Sequence, residues 1–232
     1  FLERRFDRVI NVLGADHQGH ARFMKAVPAA LGVPAARLDL LIYQIVTLKR
    51  GDETVRIAKR TGELVTLREL VDEVGPDACR YFFLSRTPDS QMEFDLELAK
   101  QESSENPVYY IQYAHARICS VLRKLAAEGV QRGLNECVGD LSLLTLDEEK
   151  ELANQLAKYP ELIANSAAQR EPHHLTHYLR ELAGQFHTYY NAHKVLIEDT
   201  AVRDARVSLY LAVRQVIANG LDLLGVSAPD EM

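Results

Sequence analysis

The sequence predicts a small α/β unit over residues 1–105 followed by an all-helical bundle over residues 106–232. Three observations carry this expectation. Residues 8–13 (RVINVL) are a short apolar run rich in β-branched residues, the pattern of a buried strand, and a polar loop and a helical stretch follow them. Apolar runs then alternate with turns and short helices up to about residue 105. Beyond Asn106-Pro107 each long segment carries helical punctuation, and no strand candidate remains.

Taken in order, residues 8–13 end at Gly14-Ala15-Asp16-His17, and a helix is expected from about Gly19 to Leu31, stopped by Gly32 and Pro34. Strand, polar loop and helix form one unit of a parallel α/β sheet. Ligands of such sheets sit beyond the carboxyl ends of the strands, beside helix N-termini, and residues 14–20 occupy that place. Residues 38–49 (LDLLIYQIVTLK) read as a second extended stretch. Gly51-Asp52 punctuates it and residues 54–57 resume, so a hairpin-like excursion is expected before the loop Lys59-Arg60-Thr61-Gly62. Thr66 with Glu69 is a capping box. Gly75-Pro76 ends that helix, and residues 77–85 form another short one.

In the second half, Asn106 caps well and Pro107 fits a first helical position, so a helix should run to about Glu128 and stop at Gly129. Thr145 with Glu148 is read as a second capping box, opening a helix to about Tyr159. Pro160 and Pro172 suit further helix starts. The last helix is expected from about Thr200 to Leu224, ending at Gly225. Its apolar residues Val207, Leu211, Val213, Val216, Ile217 and Leu221 follow helical spacing.

Hydrophobic residues are 47% and charged residues 26% of the 232, ordinary globular composition. No apolar run is read as a membrane span. The opening Phe1-Leu2-Glu3-Arg4-Arg5 lacks an initiator Met and a signal peptide's apolar stretch, so the chain reads as a piece of a longer protein. Cys79, Cys119 and Cys137 lie far apart, which argues against a zinc ribbon or a disulfide framework and suits buried or idle thiols. A net charge of −6 does not suggest a nucleic-acid partner, yet phosphate contacts need only a local basic face.

Two loops could carry chemistry. Lys59 and Arg60 are adjacent cations before Gly62; such a loop can neutralise a leaving pyrophosphate, and it can equally be a solvated basic turn. In Gly14-Ala15-Asp16-His17-Gln18-Gly19-His20, the glycines allow close backbone approach of a ligand. Asp16 could accept from a ribose or a guanidinium, and His17 and His20 could donate to phosphate; alternatively Asp16 merely caps the helix. A metal at Asp16, His17 and His20 lacks a distant fourth ligand, and no metal site is assigned. Aromatic clusters at Tyr109-Tyr110-Ile111-Gln112-Tyr113 and Phe186-His187-Thr188-Tyr189-Tyr190 suit either stacking on RNA bases or helix packing. His173-His174-x-x-His177 reads as a solvated helix start rather than a metal site.

In their order these segments resemble the C-terminal part of bacterial arginyl-tRNA synthetases. VLGADHQGHARF (residues 12–23) is similar to that family's GADHHGY stretch, with Gln18 and His20 departing from it. VRIAKRTGELVTLREL resembles the KMSKS loop and the helix after it; Arg56 replaces the first lysine and Ala58 the serine, while Lys59 is retained. EVGPDACRYFFLSR, FDLELA and NPVYYIQYAHARICSVL resemble the bridge into the anticodon-binding DALR domain, and ARVSLYLAVRQVIANGLDLLGVSAPDEM its last helix and tail. His17-Gln18-Gly19-His20 also fits the H-x-G-H signature of class I synthetases, but only about forty residues separate it from Lys59, too few for the intervening fold, so it is set aside as the signature.

The resemblance implies a partial Rossmann-like nucleotide-binding domain over residues 1–105 and a DALR anticodon-binding domain over 106–232. It implies an ATP- and Mg2+-dependent ligase that joins arginine to tRNA(Arg), cytoplasmic and monomeric. Lys59 and Arg60 would steady the pyrophosphate, Asp16 would meet arginine or the ATP ribose, and Gly14, His17 and Gly19 would line the adenosine side. Tyr190 and Met232 would lie near the anticodon. Two other classes compete: a tRNA-gripping module without chemistry, and a helical protein-interaction domain.

Overall fold

The computed structural model describes residues 3–51, 53–55, 65–130 and 139–232. Its residues group into two units, one of Phe1–Ala58 with Arg86–Leu96 and one of Lys59–Ser85 with Glu97–Met232. The grouping is therefore not a single cut near residue 105.

In the first unit, β1 (Val9–Gly14) leads through a 3-10 turn (Ala15–His20) into α1 (Ala21–Ala30). The chain returns as β2 (Leu38–Tyr43), parallel to β1 in register from Val9↔Leu38 to Gly14↔Tyr43. Gly32 ends the α1 turn at φ +76, the left-handed geometry that suits glycine. The stretch expected as one extended run divides at Gln44-Ile45. Gln44 N–H donates to the Pro88 carbonyl at 2.9 Å, and β3 (Val46–Arg50) joins a different sheet, ordered β4-β3-β5. The hairpin is present: β4 (Glu53–Thr54) pairs antiparallel with β3 across Gly51 at φ +60. The sequence reading missed β5 (Met92–Asp95), parallel to β3. Four residues are a short signal, although Met92 and Phe94 are buried and alternate with Glu93 in the strand's period of two.

The second unit begins, among described residues, with α2 (Leu67–Val74). Its capping box is complete: Thr66 Oγ1 accepts from Glu69 N at 3.2 Å and Glu69 Oε2 accepts from Thr66 N at 2.7 Å. Then follow α3 (Pro76–Leu84), α4 (Leu96–Lys100), α5 (Pro107–Ala127), α6 (Asp147–Ala157), α7 (Tyr159–Gln169), α8 (His173–Ala192) and α9 (Thr200–Leu224). Asn106 starts α5 as expected, its Oδ1 accepting from Val108 N at 3.1 Å while Nδ2 donates to the Ala99 and Gln101 carbonyls. Gly225 at φ +67 closes α9. No strand lies beyond Pro107 among the described residues.

The core is built where α5, α8 and α9 meet. Ile111, Ile118, Leu179, Phe186, Val213 and Ile217 are fully buried there. By length and composition α9 could cross a membrane, a test the sequence reading did not find met. Half of its most apolar window is buried within the bundle, and a core helix has that same composition.

Of the box expected at Thr145 and Glu148 only the carboxylate half forms, one residue further on, because leucine has no side-chain acceptor. Leu146 is the N-cap, and Glu149 Oε2 accepts from its N–H at 3.1 Å. The shift turns Glu149 inward to 1% exposure, where its Oε1 accepts from Tyr189 Oη and from Arg206 Nε, each at 2.8 Å. One carboxylate thus joins α6, α8 and α9. Replacing it removes the partner of a largely buried guanidinium and a buried hydroxyl, so Glu149→Leu is expected to lower unfolding free energy by about 3–5 kcal/mol. Urea unfolding followed by circular dichroism measures this, and a loss near the error of the midpoint would show that the carboxylate does not hold the bundle.

Candidate functional site

The helical unit presents an open cleft of about 540 Å³ lined by Tyr113, Ala116, Arg117, Ser120, Arg123, Tyr190, Glu231 and Met232. Tyr113 and Arg117 are one turn apart on α5, so they share a face; Tyr190 comes from α8. The Arg117 guanidinium lies 4.5 Å from the Tyr113 ring centroid and 4.4 Å from that of Tyr190, a cation held by two aromatic faces. Arg117 Nη2 donates to Tyr113 Oη at 3.1 Å, and Nη1 to His187 Nδ1 at 3.1 Å. Behind it, the other nitrogen of His187 meets the Tyr110 carbonyl at 3.0 Å. Burial pushes the His187 imidazole below its usual range, the Tyr110 hydrogen bond opposing and the Arg117 charge reinforcing this.

The tail is brought to this cleft by a stripe along α5. Gln112 Nε2 donates to the Ser227 carbonyl at 3.0 Å and to Asp77 Oδ2 at 2.8 Å. His115 Nδ1 donates to the Pro229 carbonyl at 2.9 Å, Cys119 Sγ donates to Asp230 Oδ1 at 3.2 Å, and Arg123 pairs with Glu231 at 2.9 Å. Residues 112, 115, 119 and 123 follow helical spacing, so one helix face lays the tail down and delivers Met232 to the cleft. Tyr190 also borders a second cavity of about 190 Å³, shared with Lys124, His193, Lys194 and Tyr210. Chemically the cleft offers what an unpaired nucleic-acid strand needs: aromatic faces for bases and guanidinium groups for phosphate.

The first unit places Gly14 at the carboxyl end of β1 and Asp16, His17 and Gly19 on the turn that follows. Asp16 and His17 are exposed and 3.6 Å apart. A Cβ at Gly14 would come within 2.6 Å of Asp16 Oδ1, the end of an exposed side chain, and a Cβ at Gly19 would meet nothing within 4 Å. Asp16 is the second residue of that turn, whose N-cap is Gly14. Lys59 and Arg60 lie outside the described residues, as does Cys137. Among the described residues, possible metal ligands gather at His115, Cys119 and Asp230, and at Glu171, His173 and His174. The second group corrects the expectation of a solvated helix start, because His173 is buried, while His174 pairs with Glu171 at 2.9 Å.

Residues 111–232 match the family model of the DALR anticodon binding domain. The chain belongs to that family. Over its whole length it is also similar to curated relatives named arginine–tRNA ligase. That of Thioalkalivibrio sulfidiphilus is 55% identical over 231 residues, 100% of this chain and 39% of the relative. That of Dehalococcoides mccartyi is 53% identical over 232 residues, 100% of this chain and 41% of the relative. The chain thus spans about two-fifths of their length. Among solved structures, an arginyl-tRNA synthetase from Campylobacter jejuni superposes with a TM-score of 0.86 at 32% identity, covering 99% of this chain and 49% of that one. The Thermus thermophilus arginyl-tRNA synthetase superposes at 0.77 with 27% identity, covering 97% and 41%.

Every residue lining the larger cleft falls inside the DALR match. Tyr190 and Met232, 42 positions apart, are brought into one cleft. The sequence reading missed Arg117 and Arg123. The usable signal was a cation one turn after Tyr113 on a shared helix face, hidden because such pairs are common on solvated helices. Cys119 is a buried free thiol. Burial pushes the Cys119 thiol up to about 11, with the Asp230 carboxylate acting in the same direction and Arg214 opposing. Only the thiolate alkylates, so Cys119 is expected to react about a hundredfold more slowly than an exposed cysteine at pH 8, given a free pKa of about 8.5. Its rate should rise with each pH step through about 10. Peptide mass spectrometry after timed iodoacetamide exposure checks this; equal rates would show an accessible thiolate.

Proposed function

We propose that this chain is the C-terminal portion of an arginine–tRNA ligase and that its helical half grips the anticodon region of tRNA(Arg). The observation that carries the reading is Arg117 held between Tyr113 and Tyr190 in a cleft edged by Arg123 and Met232. Stacking faces and guanidinium charge together suit single-stranded RNA, since every base has a face to stack and every nucleotide a phosphate to neutralise. The whole-chain similarity to relatives named arginine–tRNA ligase supports the assignment of amino acid and tRNA. The net charge of −6 does not oppose it, because Lys124 and Lys194 extend the local basic face beyond Tyr190.

In this reading residues 1–105 are the last part of a Rossmann-like catalytic domain, and 106–232 are the DALR domain, in a monomeric cytoplasmic enzyme. The parallel β1–β2 unit with its exposed turn supports the first part. Arginine carboxylate attacks the α-phosphate of ATP, which arrives as its magnesium complex, and pyrophosphate leaves. Lys59 and Arg60 steady the charge that develops on it. Asp16 meets the arginine guanidinium or the ATP ribose, with Gly14, His17 and Gly19 along the adenosine side. A hydroxyl of the terminal ribose of tRNA then attacks the arginyl carbonyl of the adenylate, and AMP leaves.

Three measurements test this. The 232-residue chain should retain tRNA(Arg) transcript on a filter, with affinity falling steeply as salt rises, and should give no arginine-dependent ATP–pyrophosphate exchange by itself. Absence of salt-sensitive retention would favour a protein-interaction domain. In a full-length ligase carrying this segment, Lys59→Ala is expected to lower turnover about a hundredfold or more; an unchanged rate would remove the pyrophosphate role.

A further inference from the structure

We propose that His187 is a positioning residue for RNA binding: its Nδ1 lone pair holds the Arg117 guanidinium between the rings of Tyr113 and Tyr190. The inference rests on the RNA-binding reading of the cleft and adds a residue that does not line it. His187 is buried at 5% exposure, one helical turn before Asn191 on α8. Its two ring nitrogens face partners of opposite kind. The Tyr110 carbonyl, 3.0 Å away, can only accept, so that nitrogen, Nε2, carries the proton. The Arg117 guanidinium, 3.1 Å away, can only donate, so Nδ1 is bare. One neutral tautomer satisfies both contacts, whereas the doubly protonated ring keeps the Tyr110 contact and loses the Arg117 one, because Nδ1 would then be a donor facing a donor. Burial and the adjacent guanidinium favour the neutral ring.

The consequence is directional. Left to itself an arginine side chain samples many rotamers at an entropic cost to any ligand that must fix it. Here three contacts stop that motion: Nη1 on His187, Nη1 on Asn191 Oδ1 at 3.5 Å, and Nη2 on Tyr113 Oη at 3.1 Å. The His187 ring also stacks on Tyr113 at a centroid separation of 5.7 Å. It therefore sets both the cation and one of its two aromatic walls. Of the five N–H donors of Arg117, these contacts leave two for a phosphate or a base edge in the cleft.

The test is a set of filter-binding titrations of tRNA(Arg) transcript against the 232-residue chain and its variants, at several salt concentrations. Arg117→Met is expected to weaken binding about tenfold and to flatten the salt dependence. His187→Leu, which has no acceptor, should lose about as much. The double variant should be no weaker than Arg117→Met alone, because the two act as one unit. His187→Asn keeps an oxygen near the Nδ1 position and should stay within about threefold of the parent chain. A wild-type chain that retains no transcript, or an Arg117→Met chain that binds as well as wild type, overturns the RNA reading of the cleft and the proposal with it. An Arg117-sensitive chain that is indifferent to His187→Leu, or losses that multiply in the double variant, overturns the positioning role alone. Imidazole 15N spectra of the unmodified chain give a readout independent of variant folding: Nδ1 bare and Nε2 protonated is expected, and the opposite tautomer sinks the assignment.

Discussion

The helical unit depends on where a buried carboxylate finds its partners. Glu149 lies at 1% exposure and accepts from Leu146 N, Tyr189 Oη and Arg206 Nε. Burial of a charge is costly unless it is paired and hydrogen-bonded, so these three contacts constrain α6, α8 and α9 together. Arg206 extends the tie by donating to the Lys194 carbonyl at 2.8 Å, fixing the segment between α8 and α9. The register of α8 is set by Tyr189, and the same register decides which way its neighbours Phe186, His187 and Tyr190 face. Phe186 enters the core, His187 reaches Arg117, and Tyr190 walls the cleft.

The other side of the cleft is an exercise in helical periodicity. On α5 one stripe, Gln112, His115, Cys119 and Arg123, grips the tail, while Tyr113 and Arg117 one position round address α8. A third face, with Ile111, Ile118 and Leu125, is core. The three faces serve packing, tail placement and ligand contact in a single helix of 21 residues. Asp77 on α3 strengthens the tail contact by accepting from Ser227 N at 3.2 Å, so a helix outside the family match helps place Met232.

Much of this was legible from local chemistry. Thr66 with Glu69, Asn106-Pro107 and Gly225 each announce a helix end through the group that satisfies it, and the structure keeps them. The strand-turn-helix at residues 9–30 was readable because β-branched residues give way to a Gly-bounded polar turn. Legibility failed where partners were remote. Gln44-Ile45 looks like the middle of one strand, yet Pro88 draws the chain into a second sheet. Glu148 is as good a capping residue as Glu149; only Tyr189 and Arg206 distinguish them.

By itself the sequence determined the helical character of the second half, the positions of most caps and the ordered motifs that mark a DALR domain, because these are short-range or pattern properties. Tertiary structure alone decided that Tyr190 and Met232 share one cleft, that Arg117 lines it, and that His187 stands behind Arg117. Those facts rest on contacts between residues 70 or more positions apart, such as Arg117 with His187 and Cys119 with Asp230. Such pairings are chosen by which helix faces the core buries, and each residue alone carries no local signature of them.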